Sequence, residues 1–158
     1  MRVGTGYDAH RLVPGRDLII GGVRIEHPSG LEGHSDADVL THAVIDALLG
    51  AAGLGDIGQH FPATDPRYRG ASSQDLLASA VRAVAAAGYR LVNVDSTVIA
   101  EEPRLEPHLG AMRTQLAKSL GVEPAAVSVK ATSPEGLGAL GRKAGIVAQA
   151  VALIEATG

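Results

Sequence analysis

The sequence contains no cysteine, which excludes disulfides, thiolate metal sites and a cysteine nucleophile. It has no tryptophan, and its aromatic residues are only Tyr7, Phe61, Tyr68 and Tyr89. Platforms for stacking nucleic-acid bases are therefore all but missing. There is no basic block either. Lys and Arg number 14 against 17 Asp and Glu, a formal net charge of -3, and this balance argues against a nucleic-acid partner. The longest apolar stretches, such as residues 47–55, fall well short of the ~18 residues that a membrane span needs. Residues 1–11 carry no apolar run of the kind a signal peptide requires. The expectation is a cytoplasmic, soluble protein without a membrane partner.

What is present is a chain of 158 residues, 46% apolar and 20% charged. That length suits one domain spanning 1–158, able to bury roughly 70% of the surface its unfolded chain would expose. Histidine is distributed unevenly. Of six, His10, His27, His34, His42 and His60 fall within the first 60 residues, and histidine is both a frequent metal ligand and an acid–base group.

Periodicity divides the chain into elements. Residues 2–7 read as a strand. Residues 17–26 read as a hairpin about Gly21-Gly22. Over 35–52 the apolar residues Leu40, Ala43, Val44, Ala47, Leu48 and Ala51 recur at helical spacing, with Ser35 as N-cap and Asp38 as its acidic partner. A second helix is expected over 72–87, capped by Ser72 and stopped by Gly88. A strand follows over 91–100 with Val92, Val94, Ser96 and Val98 on one face, then a helix over 107–120 ending at Gly121. Residues 127–132 form a short strand, 133–142 a glycine-rich loop, and 145–155 alternate as a strand although their alanines also suit a helix. Intermixed strands and helices in so short a chain indicate an α/β or α+β layer with helices on a sheet.

Four segments could carry chemistry. In an extended segment Asp8 and His10 project to one side, which fits a surface pair as well as two ligands of one ion. His42 lies mid-helix among alanines and needs partners for its ring nitrogens. By itself it reads first as a core histidine bonded to a backbone carbonyl; with Asp8 and His10 it would complete a three-ligand zinc site with an open position. The glycines of GLGDIG at 53–58 permit a loop whose amides face an anion, or an ordinary helix exit, with His60 and Asp65 as solvent-facing loop residues. Arg104 in AEEPRLE fits a phosphate contact or a surface ion pair. KATSPEGLGALGR at 130–142 has the general character of a phosphate or metal–phosphate cradle without a Walker lysine, and Glu135 there also fits a helix-start acid.

Asp8-x-His10, IIGGVRI at 19–25, HSDAD at 34–38 with His42, DALLGAAGLGDIG at 46–58, FPATDP at 61–66 and the late KAT…LG…GR occur together, in this order. In this the chain closely resembles the 2-C-methyl-D-erythritol 2,4-cyclodiphosphate synthase family of the non-mevalonate isoprenoid pathway, over essentially its whole length. The resemblance implies a mixed sheet with helices on one face, and a homotrimer whose active sites lie between subunits. It also implies a reaction. The 2-phosphate of 4-diphosphocytidyl-2-C-methyl-D-erythritol 2-phosphate attacks the β-phosphorus of the same molecule, closing an eight-membered ring and expelling CMP. No protein nucleophile is needed. The demand is for attack geometry and neutralisation of crowded phosphates.

Carried over residue by residue, the resemblance implies that Asp8, His10 and His42 hold Zn2+ and that Glu135 holds Mg2+ or Mn2+. His34 and Ser133 would take catalytic roles, with His34 and Ser35 lining the erythritol-phosphate pocket. Asp56, Ile57 and Gly58, with Phe61, Pro62, Ala63, Thr64 and Asp65, would fix the methylerythritol end. Ala100, Pro103, Arg104, Leu105 and Glu106, with Ala131 and Thr132, would hold the cytidine diphosphate part, and Arg142 would contribute nearby. The chain departs from the family in having Arg104 for Lys, Ser133 for Thr and Ala63 for Asp. Ala139 and Ala144 also replace an aromatic and an acid beside a trimer-axis cavity that holds an isoprenoid diphosphate in relatives, so altered binding there is expected. Loss of a zinc ligand or of Glu135 would instead favour a nucleotide-binding protein without turnover, and none is lost.

Overall fold

The computed structural model describes residues 1–158. Strand β1 (Arg2–Pro14), the short strands β2 (Leu18–Ile20), β3 (Val23–Ile25) and β4 (Ser29–Leu31), helix α1 (Val39–Ala52) and a single helical turn α2 (Ile57–His60) come first. Helix α3 (Ser73–Ala86), strand β5 (Tyr89–Ile99), helix α4 (Leu109–Leu120), strand β6 (Val127–Thr132), the turn α5 (Gly138–Gly141) and strand β7 (Gly145–Ala156) complete it. Five strands form one mixed sheet in the order β4-β1-β7-β5-β6, and β2 and β3 form a separate hairpin. Only the β5–β6 pair is parallel. The alternating C-terminal segment is thus a strand, and it lies at the centre of the sheet between β1 and β5.

Helix α1 is buried at 12 of its 14 positions, because it is sandwiched between the sheet and α3 rather than lying at the surface. Its approach to β1 depends on two glycines. A Cβ on Gly6 would lie under 3.0 Å from the backbone of Ala43, and one on Gly4 would collide likewise with the backbone of Ala47 and Ala51. The opposite face of β1 and β7 carries Val3, Tyr7 and Val151, all exposed.

Three local expectations need correction. Helix α1 starts at Val39, capped by Asp38, not near Ser35. Ala37 is left-handed at φ 56, which breaks the helical path, and the Ser35 hydroxyl accepts instead from the Ala37 amide. Asp38 is wholly buried and accepts from Gly21 N at 2.8 Å, Gly22 N at 2.7 Å and Thr41 N at 3.0 Å, tying the helix start to the hairpin turn. Val92 does not share the inner face of β5 with Val94, Ser96 and Val98, because a bulge between Leu91 and Asn93 shifts the register. The stretch expected as a helix from 107 begins with a 3-10 turn at Glu106–His108 and becomes α-helical at Leu109. Helix ends behave as the glycines predict: Gly53 and Gly121 are left-handed C-caps.

Replacing Gly6 with Ala is expected to lower folding stability by about 2–3 kcal/mol through overpacking against the helix backbone. Gly110→Ala, where the new Cβ meets open space, should be neutral or stabilising by up to about 1 kcal/mol. Urea denaturation of the two variants checks the contrast.

Candidate metal centre and adjoining clefts

Asp8 and His10 project from the same face of β1 as Gly4 and Gly6, beyond the point where α1 crosses the strand. There they meet His42. The Asp8 Oδ2 atom lies 2.9 Å from His10 Nε2 and 3.0 Å from His42 Nδ1, and the two imidazole nitrogens are 3.3 Å apart. The ligand atoms of all three residues fall within 4.8 Å of one another. His42 is therefore not a core histidine satisfied by a carbonyl. Its partners are side chains.

The proton on His10 can be placed. His10 Nδ1 lies 2.6 Å from the Glu32 carbonyl oxygen, which only accepts, so Nδ1 carries a hydrogen and Nε2 is the nitrogen turned towards Asp8. At 2.9 Å from the Asp8 carboxylate, Nε2 either carries a second proton, as the raised His10 imidazole allows, or gives its lone pair to a cation held between them. The donor set, a carboxylate oxygen and two imidazole nitrogens converging on one point, suits a divalent metal ion. In the protein alone, burial pushes the Asp8 carboxyl up, but the hydrogen bonds from His10 and His42 outweigh it and hold the group well below the carboxylate range. Burial also opposes charge on His10, and the bond to Asp8 overcomes it and raises that imidazole.

The cluster opens into a cavity of about 240 Å³, whose walls include His34, Ser35, Ile57, Gly58, Phe61 and Ala63. His34 Nε2 donates to the Asp65 carbonyl at 3.2 Å, which fastens the 61–65 loop over the cavity. Arg16 donates to the carbonyls of Gly33 and Ser35, each at 3.1 Å, holding the start of the HSDAD segment. Asp46 Oδ1 accepts from Ile57 N at 2.8 Å. Burial raises the Asp46 carboxyl while that bond lowers it. Asp56 caps α2 through Gln59, and Asp65 binds the Arg67 guanidinium. Neither Asp56 nor Asp65 lines the cavity, nor do Pro62 and Thr64. His60, expected to face solvent, is half-buried with Nε2 bonded to the Leu54 carbonyl at 2.9 Å. It closes the turn after α1.

A second cleft, of about 200 Å³, forms where the parallel strands β5 and β6 end, the position where α/β sheets commonly take ligands. Its walls are Ala100, Pro103, Arg104, Leu105 and Glu106 on one side and Ala131, Thr132 and Ser133 on the other. Arg104 ion-pairs with Glu106 here. Glu135 and Arg142 are exposed and line neither cleft. Glu135 is left-handed at φ 53, its amide donating to Ser133 Oγ at 2.9 Å. Ala139 and Ala144 line a groove with residues from β1 and β7. Sequence patterns gave no signal for Tyr68 and Leu76, which complete the first cavity, or for Ser73, which touches His42.

The molecule is thus a small α+β protein with a cluster of one carboxylate and two imidazoles that could hold a metal ion, set next to a ligand-sized cavity. Comparison with known proteins makes this specific. The YgbB family model matches residues 1–155, and the chain belongs to that family. It is 63% identical to the 2-C-methyl-D-erythritol 2,4-cyclodiphosphate synthase of Bordetella petrii, over 97% of this chain and 94% of the relative. A solved structure of 2C-methyl-D-erythritol-2,4-cyclodiphosphate synthase in a CDP-bound form is 39% identical, with TM-score 0.89, and the match covers 98% of this chain and all of the other. The bifunctional IspDF of Campylobacter jejuni gives TM-score 0.95 at 40% identity, the chain spanning 42% of that longer protein.

Titration with Co2+ is expected to show one ion bound per chain at the Asp8–His10–His42 cluster. His10→Ala should weaken that binding by about a hundredfold or more, since removing a residue that only supports a ligand already costs about 10–100-fold. The visible absorption of the bound ion reports both quantities.

Proposed function

We propose that this protein is a 2-C-methyl-D-erythritol 2,4-cyclodiphosphate synthase of isoprenoid biosynthesis. The observation that carries the reading is the Asp8–His10–His42 cluster facing a cavity walled by His34 and Ser35, in a chain 63% identical to a protein of that name. The substrate is 4-diphosphocytidyl-2-C-methyl-D-erythritol 2-phosphate. An oxygen of its 2-phosphate bonds to the β-phosphorus. The bond from that phosphorus to the bridging oxygen breaks, and CMP departs with the electron pair, which makes the reaction a phosphorus–oxygen lyase step.

The residues divide this work. Asp8, His10 and His42 would hold Zn2+ through a carboxylate oxygen and two imidazole nitrogens. Glu135, an exposed carboxylate on a left-handed backbone, would hold Mg2+ or Mn2+, hard cations that prefer oxygen donors. Bound there, the two metals supply Lewis acidity at the phosphoryl oxygens. His34, anchored through Asp65, stabilises charge as the ring closes, while Ile57, Gly58 and Phe61 pack against the methylerythritol carbons. The second cleft takes the cytidine diphosphate part. There Ser133 offers a hydroxyl to a phosphoryl oxygen, and Arg104 exchanges Glu106 for the diphosphate.

The two cavities share no lining residue, yet one substrate must occupy both. A neighbouring copy supplying the second cleft resolves this, and the exposed Val3, Tyr7 and Val151 on the open face of the sheet offer the apolar contact for a homotrimer.

Phosphorus NMR with the substrate, Zn2+ and Mg2+ should show cyclic diphosphate and CMP signals that vanish on chelation and in His42→Ala. An unchanged substrate spectrum from folded, metal-loaded protein would refute the assignment. In sedimentation equilibrium the protein should weigh about three chains, and Val151→Asp should shift it to single chains and cut turnover by about a hundredfold or more, as half of each site is lost.

A further inference from the structure

Ser73 opens helix α3 and is fully buried, although a serine at a first helical position ordinarily faces water. Its amide and its hydroxyl proton are both given to Asp36. Its amide donates to Asp36 Oδ2 at 2.9 Å, and its hydroxyl donates to Asp36 Oδ1 in a short contact. A carboxylate has no proton to return, so the single hydroxyl proton of Ser73 points at Asp36. The same oxygen lies 2.8 Å from His42 Nε2, and towards that nitrogen it can only accept. His42 Nε2 therefore carries the hydrogen. Were it unprotonated, two lone pairs would face each other at that distance, whatever the Ser35 hydroxyl at 3.2 Å did.

We propose that Asp36 and Ser73 are positioning residues for the metal centre: through the chain Asp36–Ser73–His42 they hold His42 as the Nε2–H tautomer, with the Nδ1 lone pair aimed at the point shared with Asp8 and His10. The inference rests on the metal-centre reading above. It gives His42 the same arrangement as His10, whose ring is held by the Glu32 carbonyl, so each imidazole is oriented by a fixed acceptor on its far side. The two supports differ in origin. His10 is oriented by the backbone next to β4, whereas His42 is oriented by a side chain at the start of α3. The amide of Asp36 in turn donates to the Ala71 carbonyl at 3.1 Å, so the segment following the cavity loop is bound into the same chain of contacts.

The test uses the full-length protein with [15N]histidine. In the zinc-loaded wild type, His42 should show a slowly exchanging Nε2–H and a metal-shifted Nδ1. Ser73→Ala should weaken zinc binding roughly 10–100-fold in chelator competition, change the visible spectrum of the Co2+ form, and speed exchange of the Nε2 proton. Ser72→Ala, an exposed neighbour whose side chain makes no capping bond, should leave all three unchanged. An Nδ1–H tautomer in the wild type overturns the proposal without recourse to any variant, and so does a folded Ser73→Ala with wild-type zinc affinity and His42 signals. A wild type that binds no zinc defeats the metal-centre reading and this inference together. One that binds zinc but is indifferent to Ser73 defeats this inference alone.

Discussion

Helix α1 lies against strand β1 with backbone nearly touching backbone, and the rest of the site follows from that contact. Gly6 sits over Ala43, and Gly4 over Ala47 and Ala51. Two strand residues advance about 6.6 Å and four helix residues about 6 Å, so strand and helix stay in step while running in opposite directions. The next step along that register places Asp8 opposite the turn that contains His42, and His10 follows beyond it. Any side chain larger than hydrogen at the two glycines would push the helix away and separate ligands that must meet within 4.8 Å of one another.

The HSDAD segment turns this close approach into a rigid site. Each carboxylate in it is committed. Asp38 gathers donors from the β2–β3 turn and from the first turn of α1, and Asp36 takes both donors of Ser73. His34 and Ser35 between them reach the cavity. A loop would ordinarily be the mobile part of such a structure, but this one is fastened to the hairpin, to α1 and to α3. That rigidity suits a reaction in which no protein atom forms a covalent bond to the substrate and the protein contributes mainly geometry and charge.

The two clefts have different characters because different structures build them. The first is walled by the crossing of β1 and α1 and contains oriented imidazoles. The second lies at the ends of β5 and β6, where Ala100 donates to the Thr132 carbonyl at 3.1 Å, and its polar groups are exposed and adjustable. Glu101 accepts from the Gly136 amide at 3.1 Å, and Glu102 holds Lys143 at 2.6 Å, so the loop after β5 is tied to the glycine-rich segment after β6.

Much of the fold was legible in the residues. The Gly21-Gly22 turn, the helical period of α1, the glycine stops at 53 and 121 and the alternating C-terminal strand all follow from local periodicity and backbone preference, which neighbouring residues encode; that α1 is buried nearly all round does not. The pairing of Asp8 with His10 on one side of a strand was legible for the same reason. Where local signals competed, tertiary contacts decided. Asp38 displaced Ser35 as helix cap because the hairpin amides reach it, and a bulge took Val92 off the inner face of β5. His42 lies 34 positions from Asp8, and Ser73 lies 37 from Asp36. No spacing rule links residues that far apart. Sequence alone determined which residues could ligate a metal and placed His42 on a helix, whereas the strand read over 2–7 stops short of Asp8 and His10, which β1 (Arg2–Pro14) includes. Only the tertiary structure decided that they converge and which nitrogen of each imidazole faces the shared point, because both depend on backbones that meet through packing and on acceptors brought in by distant elements.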